Sequence, residues 1–206
     1  MRISQAAEIT LINLRHNFPM HLAAAVMISL LTPFVFSITA LDRVSSARPL
    51  EMLMCMTGAV LLTPVFSPEQ NENIRDVIRS KRVSYLWVCL MRTVYSTAAL
   101  AAVMGIFVLI MKQRECDVTI AHFGAGFASA FFLGSVGLAF AKAGGAVAGY
   151  MASMIYYLLN FSGVLPESLS LFTMTNGRTD VNFPLMIWGI ITIAAAFALS
   201  SARDRS

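Results

Sequence analysis

The sequence predicts an all-α polytopic membrane protein. Six transmembrane helices are expected, with an N-terminal interfacial helix, a cytoplasmic coupling-type helix and a re-entrant outer segment. Three observations predict this. Hydrophobic residues make up 57% of the 206 and charged residues only 13%, where an ordinary soluble domain carries about 25% charged residues. Mean hydropathy is +0.71. The charges also fall between long uncharged runs, each close to the roughly 20 apolar residues that a spanning helix needs. No stretch is polar and long enough to hold a soluble catalytic or nucleic-acid-binding domain, so no nucleic-acid partner is expected.

The runs place spans at about 18–41, 50–66, 84–111, 118–141, 143–162 and 182–202. Asp42 ends the first, Glu51 and Glu69 flank the uncharged part of the second, and Lys142 divides the fourth from the fifth. The second is the shortest and carries Pro64 near its end. An even number of spans puts both termini on one side. Nine Lys and Arg lie on that side, four of them (Arg75, Arg79, Lys81, Arg82) in one connection, and five lie on the other. The positive-inside bias therefore predicts cytoplasmic termini. The first apolar run is too long, and too far from Met1, for a cleavable signal peptide.

Residues 1–17 are of mixed polarity. Ile3, Ala7, Leu11 and Leu14 share a helical face, with Arg2, Gln5, Asn13 and His16 roughly opposite. This reads as an amphipathic helix lying in the inner interface, or else as an extension of the first span. Residues 67–82, SPEQNENIRDVIRSKR, predict a cytoplasmic helix. Ser67 can cap it, Pro68 suits its first position and Gln70 completes a capping box. Acidic residues precede basic ones, in the order that complements the helix dipole. Ile74, Val77 and Ile78 form a small apolar patch. That helix is either a docking element for a cytoplasmic partner or a positive-inside anchor resting on lipid.

Arg92 precedes the run 93–111, which almost spans the membrane alone. This puts Arg92 near the inner boundary, where its side chain can snorkel and its loss should matter little. The other reading has it facing a translocation path, or pairing with Glu8 or Glu72. Gly126, Ala130 and Gly134 recur every four residues, and Gly145 and Gly149 form a GxxxG. Such small-residue stripes let helices pack closely in lipid. After the fifth span, Gly163 and Pro166 break an apolar segment, 163–176, that holds Phe172 and one charge, Glu167. It reads as a pair of short re-entrant helices or as a loop on the outer surface.

Catalytic and cofactor signatures are missing. The chain has no P-loop lysine motif, no HExxH, no GxSxG and no cluster of carboxylates inside the spans. Cys55, Cys89 and Cys116 have neither metal nor disulfide-framework spacing. The chain itself is therefore not expected to be an enzyme or to bind a cofactor or metal.

The order of these segments resembles the membrane subunit of a type-2 ABC exporter. The stretch FSPEQNENIRDVIRSKRVSYLWVCLMRTVYS, residues 66–96, is similar to the region before the third span of small bacterial permeases of that family. The architecture covers nearly the whole chain, and the sequence likeness covers that one stretch. The resemblance implies a second permease copy or a related chain. It also implies a separate ABC ATP-binding subunit that carries ATP and magnesium. Docking would fall to Glu69, Glu72, Ile74, Arg75, Val77 and Ile78, with 1–17 bracing the same interface. Arg92, Gly163, Pro166 and Phe172 would line the pathway or its outer gate. The chain is short for the family, with minimal outer loops, which suits a small amphiphilic or peptide-like substrate. Two other classes share the composition: a substrate-binding membrane subunit of a vitamin importer, and a non-transporting scaffold or immunity protein.

Overall fold

The computed structural model describes residues 18–70, 85–178 and 181–203. The expected interfacial helix 1–17 and the docking residues Glu72, Ile74, Arg75, Val77 and Ile78 lie outside the described residues. Among the described residues every regular element is helical. Helix α1 is Phe18–Val35. The second apolar element is a composite of α2 (Arg43–Arg48), a π-helical turn (Pro49–Met54), α3 (Met56–Leu62) and a 3-10 stretch (Thr63–Gln70). Helix α4 is Tyr85–Gln113, α5 is Ile120–Phe161 and α6 is Phe183–Arg203. Five of these paths are long and apolar enough to cross a membrane, as in a multi-pass membrane protein.

Two boundaries differ from expectation. The first helix stops at Val35, and residues 36–42 form a non-helical connection. The second element begins at Arg43, seven residues before the expected start, and carries Arg48 and Glu51 within it. Counting charges missed this, because a charge inside a helix ends an uncharged run as surely as a loop does. At its far end Ser67 lies inside the 3-10 stretch Thr63–Gln70, which continues the helical path.

Helix α5 is 42 residues long, which at about 1.5 Å per residue would be twice the ~30 Å hydrocarbon thickness. It is not straight. Gly145 has φ 92° and ψ 169°, a region that is essentially glycine-only. The two arms fold against each other. The Ser153 hydroxyl donates to the Leu133 carbonyl at 3.1 Å, and a Cβ on Gly149 would stand 2.5 Å from the Gly137 carbonyl oxygen. Both pairs are symmetric about position 143, as an antiparallel hairpin requires. The expected fourth and fifth runs are therefore separate arms, but they turn at Gly145 and have no loop at Lys142.

Contacts between connections define the two ends of the bundle. At one end, the Ala40 amide donates to the Arg114 carbonyl (3.1 Å) and the Asp117 amide to that of Leu41 (2.9 Å). His122 Nε2 lies 2.8 Å from the Arg43 carbonyl, and its Nδ1 faces the Thr119 amide at 3.1 Å. A carbonyl can only accept, so Nε2 carries the proton and Nδ1 accepts from Thr119, capping α5. At the opposite end, the Lys142 ammonium lies 5.2 Å from the Phe66 ring, which meets Phe197 at 5.7 Å.

The composite element lies at the centre. Of its most apolar 18 residues 78% are buried, against 11% in α1 and 22% in α6. Its closest neighbour is the first arm of α5. A Cβ on Gly58 would collide with the Ala130 carbonyl, and one on Gly134 would stand 2.5 Å from the Gly58 carbonyl oxygen. The 126/130/134 stripe thus packs on the second element, with Gly126 against Leu50 and Met104. Gly149 packs on the other arm, and Gly145 makes the turn.

Gly58→Ala should sharply reduce the yield of folded protein, because the colliding atoms are backbone and cannot swing aside. Gly105→Ala, whose nearest atom would be 3.8 Å away, should be tolerated. Gly145→Ala should cost about 1–3 kcal/mol. Thermal melting of the detergent-purified variants checks all three.

Candidate functional site

The site begins with a proline inside a helix. Pro49 has no N–H to give the Ser45 carbonyl, so the α-helical ladder is interrupted there, and the chain relaxes into the π-helical turn Pro49–Met54. Such turns leave carbonyls needing other donors. The Tyr157 hydroxyl donates to the Met52 carbonyl at 2.8 Å, and the Thr57 hydroxyl to that of Met54 at 2.6 Å. Glu51 lies within the turn and is 1% exposed.

The Glu51 carboxylate accepts three hydrogen bonds, all from one distant segment. Thr173 Oγ1 donates to Oε1 at 3.1 Å, the Met174 amide to Oε1 at 2.9 Å and the Thr175 amide to Oε2 at 2.8 Å. All three partners are donors, the arrangement an ionised carboxylate requires, and hydrogen bonds to an ionised acceptor are roughly twice as strong as neutral ones.

The segment it holds was expected as two short re-entrant helices or as a loop on the outer surface. Only Glu167–Leu169, a 3-10 turn, is helical. The rest is irregular, yet Leu171, Phe172, Thr173 and Met174 are buried. Irregular backbone inside a bundle survives only if neighbours satisfy it, and here side chains do so. The Tyr156 hydroxyl donates to the Leu169 carbonyl (2.6 Å) and the Ser129 hydroxyl to the Leu171 carbonyl (2.7 Å). Asn160 Oδ1 accepts from the Leu171 amide at 2.7 Å. Asn182 Nδ2 donates to the Ser170 carbonyl at 3.2 Å. The Phe172 ring packs on Phe161 (4.8 Å) and edge-on to Tyr157 (5.8 Å).

Beside this seat lies a cleft of about 680 Å³, lined by Glu167, Ser168, Thr173, Arg178, Asn182 and Pro184 among others. Arg178 and Glu167 form an exposed ion pair of 2.7 Å there. Of the expected pathway residues, Phe172 alone is in the seat. Gly163 and Pro166 lie outside it. Gly163 adopts φ 67° just past the end of α5 with open space around it, which makes it a helix terminator.

Arg92 is at the other end and does not reach outward. It is 3% exposed, and Nη1 donates to the Val65 carbonyl at 3.1 Å. The expected snorkelling side chain is instead turned into the bundle, bracing the end of the second element. Glu8 and Glu72, its other suggested partners, lie outside the described residues. A small cavity of about 20 Å³ adjoins Arg92, His21, Tyr95 and Ser96, room for about one water molecule.

Sequence reasoning missed Glu51, Tyr156, Tyr157, Asn160, Asn182 and Gly58, and weighed Ser129 only as a nucleophile without a histidine partner. Glu51 was read as the edge of a run, and the others as ordinary residues of apolar helices or their ends. The signal available was chemical. Asn160 and Glu51 are strongly polar residues set among apolar neighbours, in YYLLNF and RPLEMLM, and such residues inside membrane helices carry a functional presumption.

No protein-family model matches the chain, and searches of curated proteins and of solved structures find no match.

Arg92→Ala should lower the stability of the detergent-solubilised protein by about 1–3 kcal/mol, since a buried acceptor loses its donor. Thermal unfolding checks this. An unchanged melting temperature would restore the dispensable, interfacial role.

Proposed function

We propose that this chain is the membrane permease subunit of an ATP-driven exporter of the type-2 ABC class. It carries a small amphiphilic or peptide-like substrate out of the bacterial cytoplasm. It works with a second permease copy or a related chain, and ATP and magnesium are bound by a separate ATP-binding subunit. Six crossings and cytoplasmic termini belong to this reading, with α5 contributing two of the crossings through its hairpin.

One observation carries the proposal. The composite element Arg43–Phe66 joins the two parts that such a machine must connect. One end holds Glu51 and the inserted segment 169–175. The other leads directly into the connection with the charge order and apolar patch of a docking helix. Glu51 and Val65 are 14 positions apart, about 21 Å of helix. The element between them is mostly buried, so a displacement of the connection is passed along a packed rod to the seat of the loop. ATP-driven movement at one face would then shift the bundle between two packings. The polar cleft beside Asn182 favours the competing reading of a vitamin-importer subunit, whose ligand site lies among outer loops.

Affinity purification of the solubilised chain from its native membrane, with mass spectrometry, tests the proposal. A stoichiometric ABC ATP-binding subunit is expected. Ile74→Asp, which puts a charge into the apolar patch, should abolish that co-purification while leaving the membrane fold intact. A chain that comes down alone, or with membrane partners only, overturns the exporter reading in favour of a scaffold. Saturable binding of a vitamin by the isolated chain would favour the importer reading.

A further inference from the structure

We infer that Glu51 is a latch: its carboxylate holds the 171–175 loop seated between the helices, and its withdrawal frees that loop from the bundle. Three independent features of the structure converge on this. The loop is buried without regular structure of its own. Leu171, Phe172 and Met174 are at most 4% exposed, so what keeps the loop in place is its seat. Within that seat the groups that hold 169–175 through Tyr156, Ser129, Asn160 and Asn182 are neutral, and Glu51 supplies the carboxylate. That carboxylate gathers donors from three consecutive residues, Thr173, Met174 and Thr175. A small displacement of one side chain therefore breaks three bonds together.

The π-helical turn has a hydrogen-bond register that can slip by one residue toward α-helix, and such turns recur at functional sites. A slip rotates Glu51 by roughly 100° about the helix axis, out of reach of the loop. The loop also has somewhere to go. Thr173 touches the carboxylate on one side and borders the 680 Å³ cleft on the other. The part this latch plays in transport rests on the exporter reading above, whereas the latch itself does not.

The test uses the full chain, purified in detergent, with Met174→Cys as reporter and a maleimide as probe. The native Cys55, Cys89 and Cys116 are buried, and the chain without the reporter supplies the background. Met174→Cys should be protected when position 51 keeps its glutamate. Glu51→Gln preserves volume but presents an amide NH2 where a backbone N–H needs an acceptor. It should raise the labelling rate about tenfold or more, the scale of losing one hydrogen bond to a charged acceptor. Leu138→Cys, buried near the other end, should stay protected in both backgrounds. If Glu51→Gln does not accumulate, Thr173→Val removes one donor, keeps the charge and should give a smaller rise.

Equal protection of Met174→Cys in the parent chain and in the Glu51→Gln and Thr173→Val backgrounds overturns the latch. So does labelling in the parent as fast as at the exposed Val164→Cys. Exposure of Leu138→Cys together with Met174→Cys also overturns it, since Glu51 would then merely support the whole fold. Labelling needs no ATP-binding subunit, so its outcome is separate from that of the co-purification. A released loop without an ATPase partner would keep the latch and remove the exporter.

Discussion

A carboxylate enclosed by helices must be hydrogen-bonded, and the end of the bundle around Glu51 is organised by that requirement. Moving an isolated ionised carboxylate into an apolar medium costs tens of kcal/mol by Born solvation. The donors come from a loop that has folded back between the helices, chiefly from its backbone. That loop then brings its own unpaired carbonyls and amides, which Tyr156, Ser129, Asn160 and Asn182 satisfy. One buried charge thus explains a buried loop, and the buried loop explains four polar side chains on or beside apolar helices.

The central position of the second element follows from a different constraint. In lipid no hydrophobic force draws helices together, so close approach must be won by small residues and good packing. Gly58 meets the Ala130 and Gly134 turns backbone to backbone, which places the composite element against the first arm of α5. Enclosure by other helices is also what permits its irregularity. Its π-helical turn and 3-10 end leave backbone groups that a lipid-facing helix could not satisfy. Tyr157 reaches the Met52 carbonyl and Arg92 the Val65 carbonyl, so neighbours supply what the helix itself does not.

The bundle is consequently polar at the core of each end but by different means. At the loop end, an acidic side chain gathers backbone amides. At the other, a basic side chain reaches a backbone carbonyl, with the paired rings of Phe18 and Tyr95 beside it. Both charges act on or through the same central element, one from within it and one upon its last turn. Neither faces outward, since both residues are buried.

Composition and apolar runs were enough to read helices fit to cross a membrane, the all-helical content and the extents of α4 and α6. These depend on sums over twenty or so residues, and such sums are insensitive to what any one residue touches. The sequence also marked the Gly126/Ala130/Gly134 stripe, though not its partner, and the helix break at Gly163, whose meaning is local. Packing between elements settled which one is central, where α5 doubles back and which way Glu51 and Arg92 point. Each of these turns on partners far along the chain: Gly58 on Ala130, Glu51 on Thr173, Arg92 on Val65. An uncharged-run criterion treats a charge as leaving the apolar interior. Glu51 and Arg92 both break that rule, and the hydrogen-bond donors of Glu51 lie more than a hundred residues away, where hydropathy read along the chain carries no record of them.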